Sequence, residues 1–210
     1  MNYHQEARKN MISNQLLTVG LHDERIIDAM SIIPRHDFVA EEYAELAYFD
    51  GRAKLEGKRT MIAPQVFAKM LQALDIQNSY KVLDIGCGTG YSTTVIATMA
   101  KEVIGVESII SLATQAAQKV VKLQFHNISI KNGEILTGAP ENAPYHAIFV
   151  NGKLTEEPKH LLDQLCKGGK LVCILQMGEF LSKAVLFENL GNSCHRTELF
   201  DADADYFTYD

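Results

Sequence analysis

The chain has 210 residues, 47% hydrophobic and 22% charged, a composition typical of a one-domain globular protein with a full core. Its 20 Lys and Arg against 26 Asp and Glu leave a net charge of -6, which disfavours binding to nucleic-acid phosphates or an anionic membrane. No apolar run approaches the roughly 18 residues of a spanning helix, and the first residues lack a signal-peptide core. Four scattered cysteines, Cys87, Cys166, Cys173 and Cys194, indicate no disulfide framework. We expect a reduced, cytoplasmic monomer without nucleic-acid or membrane partners.

The first 75 residues or so are predicted to be mainly helical. Ile26, Met30 and Ile33 lie on one face of a helix that Pro34 ends. A second helix begins near Pro64, a residue suited to a first turn. Its apolar positions follow the helical spacing i, i+3, i+4 and i+7: Phe67, Met70, Leu71 and Leu74. The segment 50–61 between them has no clear period and is predicted to be a loop.

From Lys81 onward, short apolar runs alternate with helical stripes. The predicted strands are Val82–Ile85, Val103–Glu107, Ile128–Ile130, Ala147–Val150 and Lys170–Leu175. The helical stripes between them are Val95, Ile96 and Met99, then Leu112, Ala116, Val120 and Leu123, then Leu161, Leu162 and Leu165. Such alternation is typical of βαβ units and of a parallel sheet covered on both faces.

Two further runs, 184–188 and 194–200, are separated by a turn signal at Gly191 and Asn192 and predict an antiparallel pair at the edge of the sheet. The predicted fold is therefore α/β, with a doubly wound, mostly parallel, seven-stranded Rossmann-like sheet and a helical N-terminal extension. We expect a single domain over residues 1–210. The extension would cover residues 1–78 and the sheet core residues 79–210.

The strongest motif is a glycine-rich loop where the first predicted strand passes into its helix. Glycines there permit a tight turn and close approach of the backbone to a ligand. A dinucleotide fingerprint requires Gly or Ala where Tyr91 stands, and a P-loop requires a Lys that is absent. The loop therefore suits a nucleoside ligand without phosphates. Its candidate ligand-binding residues are Asp84, Gly86, Cys87, Gly88 and Gly90.

Two acids follow neighbouring predicted strands. Glu107 lies 21 residues after Gly86, near the spacing at which an acid accepts hydrogen bonds from both hydroxyls of a ribose. Glu134, after Gly133, could accept from an adenine amino group. The alternative interpretation is a solvated strand-end acid for Glu107 and a surface-turn acid for Glu134.

The motif Asp-x-Gly-x-Gly-x-Gly, followed by Glu107, resembles the cofactor site of class I S-adenosylmethionine-dependent methyltransferases. Further segments are similar to the protein-L-isoaspartate O-methyltransferase family: 8–16, 29–39, 47–50, 60–64, 142–145 and 164–171. This resemblance implies S-adenosylmethionine as the cofactor, with contacts from Ile62 and Ala63 as well. It also implies that isoaspartyl carboxylates of damaged proteins are the methyl acceptors, in a reaction of protein repair.

The sequence departs from the family pattern at four positions, two of them in or next to the segment where the acceptor would bind. Ile62 stands in place of the family's serine, and Arg59 in place of a preceding glutamine; Glu134 and His146 each replace an aspartate. A carboxylate acceptor is already ionised and requires no general base, so the serine would only orient it. Thr60 is the nearest hydroxyl and faces the same way on an extended segment, which makes it the catalytic candidate. The alternative is that Thr60 only packs, caps the next helix or touches the cofactor.

The sequence gives less support to a metal site or to methylation of nucleic acids. The seven histidines lack metal-ligand spacings, so no metal site is expected. The fourth predicted strand ends in Asn-Gly-Lys-Leu at 151–154 rather than the Asn-Pro-Pro-Tyr of enzymes that methylate amino groups of nucleic acids. Three hypotheses remain: an isoaspartyl methyltransferase, a family member shifted to another acceptor such as a small molecule, and a non-catalytic cofactor-binding protein that acts through partners.

Overall fold

The computed structural model describes residues 3–57 and 59–207. Two short strands, β1 (Ala53–Lys54) and β2 (Thr60–Met61), form a separate hairpin. The main sheet consists of β3 (Lys81–Ile85), β4 (Glu102–Glu107), β5 (Ile128–Asn132), β6 (Tyr145–Leu154), β7 (Leu165–Gln176), β8 (Ser182–Asn189) and β9 (Cys194–Asp201). Its strands lie in the order β5-β4-β3-β6-β7-β8-β9. The first five in spatial order are parallel, and β8 and β9 add an antiparallel edge. The predicted mostly parallel, seven-stranded Rossmann-like fold is confirmed.

Strand β3 is the point at which the strand order reverses. It pairs in parallel with β4 on one side and with β6 on the other. In open α/β sheets, the crevice outside the carboxyl ends of the strands at such a reversal is where ligands bind. The topology therefore places the glycine loop after β3 at the expected position of a ligand site.

The helices are α1 (Tyr3–Met11), α2 (Glu24–Ile32), α3 (Pro64–Leu74), α4 (Tyr91–Ala97), α5 (Ile110–Lys122) and the short α6 (Lys159–Leu162). The Asp23 carboxylate accepts from the backbone N–H of Arg25 and caps α2, and Pro64 occupies the first turn of α3. Both helices predicted in the N-terminal segment are confirmed. No helix within the described ranges is long and apolar enough to cross a membrane.

Alternate residues along the parallel strands face opposite sides of the sheet, as strand geometry requires. Val82 and Phe149 pack with the N-terminal helices, α3, α4 and α5 in one apolar cluster. Leu83 and Ile148 belong to a second cluster on the opposite face, which also contains Leu161 of α6. The sheet is thus buried on both sides, which explains why its strands are apolar without interruption.

Several predicted bounds and assignments differ from the structure, three of them near the cleft or in the strands beside it. The segment 50–61 contains a short antiparallel hairpin, β1 (Ala53–Lys54) with β2 (Thr60–Met61), rather than only a loop. Leu165, predicted to be helical, begins β7 because it pairs with Tyr145 across the sheet. Strand β6 is also longer than the predicted 147–150, since its end pairs with β7 beyond a bulge. The proposed division at residues 78 and 79 stays a prediction.

Candidate active site

The carboxyl ends of β3, β4 and β6 converge on one cleft beside the β1–β2 hairpin. A small cavity of about 20 Å³ lies there. Its lining includes residues far apart in sequence: Arg35, Thr60, Ile62, Gly86, Gly88 and Asn151. The fold therefore brings the glycine loop and the hairpin segment, predicted separately, to the same place.

The glycine loop is fixed by its backbone. The N–H groups of Gly86 and Cys87 both donate to the carbonyl of Val106, at 2.8 and 3.2 Å, which ties the loop to β4. Gly90 has φ +94° and precedes α4, and a Cβ there would lie 3.2 Å from the Cβ of Ala116 in α5. Glycine at this position thus permits the left-handed turn and the close packing of the two helices.

Glu107 ends β4 and is fully buried. Its Oε2 accepts from the N–H of Gly88 at 2.8 Å and from Nη2 of Arg59 at 3.0 Å, and its Oε1 accepts from the N–H of Ile109 at 3.1 Å. A carboxylate offers about four acceptor positions, so one position on Oε1 is left. A ribose that uses both its hydroxyls must therefore take over the position held by Arg59.

Asp84 lies beneath the loop, with no exposed surface. Its Oδ2 accepts from the hydroxyls of Ser92 at 2.7 Å and Thr93 at 2.5 Å, and its Oδ1 from Nδ2 of Asn151 at 2.6 Å. Burial raises the pKa of Asp84 to about 6, although these three hydrogen bonds oppose the shift. The carboxylate joins the first turn of α4 to the end of β6, and its predicted contact with a cofactor stays a prediction.

Cys87 is 5% exposed. Its sulfur lies over Gly105 of β4, 3.2 Å from where a Cβ would stand. Burial raises the pKa of the thiol well above its usual value. The side chain thus fills space behind the loop as a small apolar group, and it lacks the thiolate character of a nucleophile.

Gly133 and Glu134 follow β5, next to Glu107. The N–H of Gly133 donates to the carbonyl of Glu107 at 3.2 Å, and Nδ2 of Asn132 donates to the same carbonyl at 2.9 Å. The Glu134 side chain is exposed and accepts from the hydroxyl of Thr137 at 3.2 Å. The two predicted acids are therefore on adjacent strand ends, one buried and one open to solvent.

The hairpin side of the cleft carries Thr60, Ile62 and Ala63. The Thr60 hydroxyl donates to Oδ2 of Asp205 at 2.7 Å. It does not cap α3, whose first residue follows Ala63 without a side-chain cap. Ile62 is 2% exposed and forms part of the core, so the residue in place of the family's serine presents an apolar wall.

Sequence reasoning missed Arg35 as a site residue. Its buried guanidinium donates from Nε to the carbonyl of Ala47 at 2.7 Å and from Nη2 to that of Ile62 at 2.6 Å. It lies 5.0 Å from the ring centre of Tyr91, and its Nη1 has no hydrogen-bond partner. Burial lowers its pKa. The available signal was a single arginine directly after Pro34, between the apolar residues Ile33 and Phe38.

Solved structures agree with the fold. One titled "protein-L-isoaspartate O-methyltransferase" superposes with a TM-score of 0.85 at 24% identity, covering 96% of this chain and 66% of that one. A second, from Plasmodium falciparum, is titled a putative enzyme of this kind in complex with S-adenosyl-L-homocysteine. It gives a TM-score of 0.81 at 22% identity over 98% of both chains. The chain therefore shares the Rossmann-like fold of these two structures.

The sequence comparisons identify the family. Residues 6–196 match the family described as protein-L-isoaspartate(D-aspartate) O-methyltransferase. Protein-L-isoaspartate O-methyltransferase 1 of Syntrophobacter fumaroxidans is 37% identical, with 89% of this chain and 86% of that protein covered. Protein-L-isoaspartate O-methyltransferase 2 of Pelobacter propionicus is 36% identical, with 92% and 87% covered. The chain belongs to the protein-L-isoaspartate O-methyltransferase family, as the sequence motifs predicted.

Proposed function

We propose that this protein transfers a methyl group from S-adenosylmethionine to the free carboxylate of isoaspartyl residues in damaged proteins. The observation that carries the proposal is the buried Glu107 beside the glycine loop, in a chain of this family. Protein substrates, a cytoplasmic location and a role in protein repair are parts of the same proposal. So is the expectation of a monomer without nucleic-acid or membrane partners.

The cleft fits an adenosine-based cofactor. Between the glycine loop and the end of β6, Gly86 and Gly152 have no side chains, and an aromatic ring, that of Phe207, lies directly against both. A flat group the size of a phenyl ring is therefore accommodated between these two glycines, where it lies against the arginine that pairs with Glu107. The residues proposed to hold the cofactor are Ile62, Ala63, Asp84, Gly86, Cys87, Gly88, Gly90, Glu107, Gly133 and Glu134. When bound, the cofactor supplies a methyl group on a positively charged sulfur.

The protein's own task is alignment and exclusion of water, because an ionised carboxylate needs no general base. We assign orientation of the acceptor to Thr60. In support, its hydroxyl already donates to a carboxylate, that of Asp205, at 2.7 Å. One hydrogen bond to a charged group is worth roughly 1.5–3 kcal/mol. A threonine hydroxyl could therefore take over much of the role of the family's serine.

A second candidate is methyl transfer to another acceptor, such as a small carboxylic acid. The observation that favours it is the buried, apolar Ile62 in the place of the serine. Such an acceptor would contact the Ile62 side chain, which offers no hydrogen bond to an isoaspartyl carboxylate.

The decisive measurement is transfer of labelled methyl to an isoaspartyl peptide, beside its normal aspartyl twin. We expect labelling of the isoaspartyl peptide alone, as a base-labile ester. Thr60→Val, which removes the hydroxyl at nearly constant volume, should lower this rate about tenfold. No transfer by an enzyme that binds S-adenosylhomocysteine would overturn the isoaspartyl assignment and favour another acceptor.

A further inference from the structure

The C-terminal segment Asp203–Phe207, called the tail below, lies across the cleft. It leaves β9 after Asp201 and runs beside the end of β6. The N–H of Lys153 donates to the carbonyl of Asp205 at 2.8 Å, and the N–H of Phe207 donates to the carbonyl of Lys153 at 2.9 Å. The tail is therefore an added stretch of parallel pairing at the end of the strand that borders the site.

The acidic side chains of the tail are held by groups of the cleft. Asp205 accepts from the Thr60 hydroxyl at 2.7 Å through Oδ2 and from Nη1 of Arg52 at 2.9 Å through Oδ1. Asp203 pairs with Arg52 at 3.6 Å and with Lys153. A hydroxyl and a guanidinium thus bind one peptide carboxylate, which is the chemistry that an isoaspartyl acceptor requires.

Phe207 fills the space between the glycine loop and β6. A Cβ on Gly86 would lie 2.1 Å from its ring, and one on Gly152 would lie 2.6 Å away. The guanidinium of Arg59 stacks over the ring, 4.6 Å from its centre, and the same group pairs with Glu107 at 3.0 Å. Phe207 is 5% exposed. The Arg59 guanidinium thus connects the Phe207 ring to the Glu107 carboxylate inside the proposed cofactor site.

We infer that the tail is an internal competitor for the site: Phe207 occupies cofactor space, and Asp205 occupies a subsite for the acceptor carboxylate formed by Thr60 and Arg52. This inference rests on the proposed function. Arg52 is then a positioning residue for the acceptor. Cofactor and acceptor bind only when the tail has left, so their apparent affinities fall in proportion to the fraction of molecules with the tail out.

The first test measures the dissociation constant of S-adenosylhomocysteine by calorimetry. Phe207→Ala should bind it at least about fivefold more tightly than the wild type, because the open fraction rises. Phe180→Ala is the control, since that ring is 94% exposed, and it should leave the constant unchanged. Equal or weaker binding by a folded Phe207→Ala variant would overturn the inference.

The outcome also separates the two proposals. If wild type and Phe207→Ala bind S-adenosylhomocysteine equally, the proposed function stands and the tail is only a structural element. If neither binds it, the proposed function fails, and the inference with it. If Phe207→Ala binds S-adenosylhomocysteine and the wild type does not, both the proposed function and the inference are supported, and the tail then prevents cofactor binding in most wild-type molecules.

The second test concerns the acceptor subsite. It leaves the buried Phe207 ring in place, so the inference can still be tested if Phe207→Ala does not fold. Asp205→Asn weakens the contact with Arg52 and should lower KM for an isoaspartyl peptide about threefold, with kcat little changed. Asp201→Asn, on the exposed end of β9, is the matched control without effect. An unchanged KM in Asp205→Asn would exclude competition by the tail carboxylate.

The role of Arg52 toward the acceptor is tested in the Asp205→Asn background, where the shorter of the two tail contacts with Arg52 has lost its carboxylate and only the contact with Asp203, at 3.6 Å, remains. Adding Arg52→Gln should raise KM for the isoaspartyl peptide about tenfold and leave kcat and S-adenosylhomocysteine binding unchanged. Arg52→Lys should restore part of the loss, because a cation remains. A KM indifferent to the loss of Arg52 would remove it from the subsite.

Discussion

The two halves of the cleft differ in how far they keep the family pattern. The half around Glu107 and the glycine loop keeps most of the residues that the family resemblance implies for the cofactor, with Glu134 in place of an aspartate. The half around Thr60 has an isoleucine for the serine, an arginine for the glutamine, and the tail lying on it. The residues proposed for the cofactor lie mostly at strand ends, which the sheet fixes, whereas the proposed acceptor side is built from a hairpin of two-residue strands and from the tail. Two of the departures, Arg59 and Ile62, therefore fall where the sheet constrains the chain least.

The largest effect is expected in the cofactor half. Glu107→Gln should weaken S-adenosylhomocysteine binding on the order of 10³-fold, because two hydrogen bonds from ribose hydroxyls to a charged acceptor are worth together about 4 kcal/mol. Calorimetry measures the change. Glu134→Gln, at the exposed acid after the neighbouring strand, is the comparison. It should weaken S-adenosylhomocysteine binding by at most about tenfold. Similar losses in both variants would contradict the assignment of the ribose to Glu107.

Asp84, which lies beneath the glycine loop, should make the stability of the fold depend on pH. Folding raises the pKa of Asp84 from 3.8 to about 6, so the folded state binds an extra proton between these values. The free energy of unfolding therefore falls as pH rises through that window, by ~3 kcal/mol for this group. Asp84→Asn lacks this contribution.

Denaturant titrations between pH 4 and 7 give the free energy of unfolding of the wild type and of Asp84→Asn. The contribution of Asp84 is the wild-type value minus that of the variant. That difference should decrease with pH. Asp201→Asn, which alters an exposed acid, should show no such trend. A flat difference would mean that the Asp84 carboxyl group keeps its ordinary pKa in the fold, and a difference that rises with pH would mean that folding lowers that pKa; either result would contradict the prediction.

In the acceptor half, Ile62→Ser should raise transfer to an isoaspartyl peptide about tenfold by restoring one hydrogen bond to the acceptor. Because Ile62 is 2% exposed, the variant should also lose about 2–4 kcal/mol of stability to the cavity. Ile62→Val, which shortens the side chain without adding a hydroxyl, is the control. If serine and valine give the same rate, the hydroxyl has no part in this enzyme.

The same contrast separates what the sequence predicted from what it could not. Glu107 and the glycines were predictable because parallel strand ends meet at one edge, whatever the details of packing. The Arg59–Glu107 pair joins residues 48 positions apart, and its geometry depends on how the hairpin at 53–61 sits on the loop. The Thr60–Asp205 bond spans 145 positions, and the alternation of Asp and Ala in 201–205 does not indicate which segment of the chain it contacts. Local patterns fix strands and helices, whereas contacts of irregular segments follow from tertiary packing.

The smallest effect expected from this contrast tests whether Arg59 links the two halves. It donates to the Oε2 of Glu107 that a ribose hydroxyl would need, and its side chain is 13% exposed. Arg59→Gln, which restores the family's residue, should therefore tighten S-adenosylhomocysteine binding about fivefold, since a hydrogen bond worth roughly 1 kcal/mol no longer has to be displaced. Arg59→Lys keeps the cation and should show no gain.

The double variant Arg59→Gln/Phe207→Ala decides how this gain arises. Arg59 also stacks on Phe207, so part of the gain in Arg59→Gln could come from a looser tail. If the glutamine still tightens binding after the ring has been removed, Arg59 competes directly for Glu107. If the gain disappears, Arg59 acts only by holding Phe207 in place, and the divergence of the acceptor half reaches the cofactor through the tail alone.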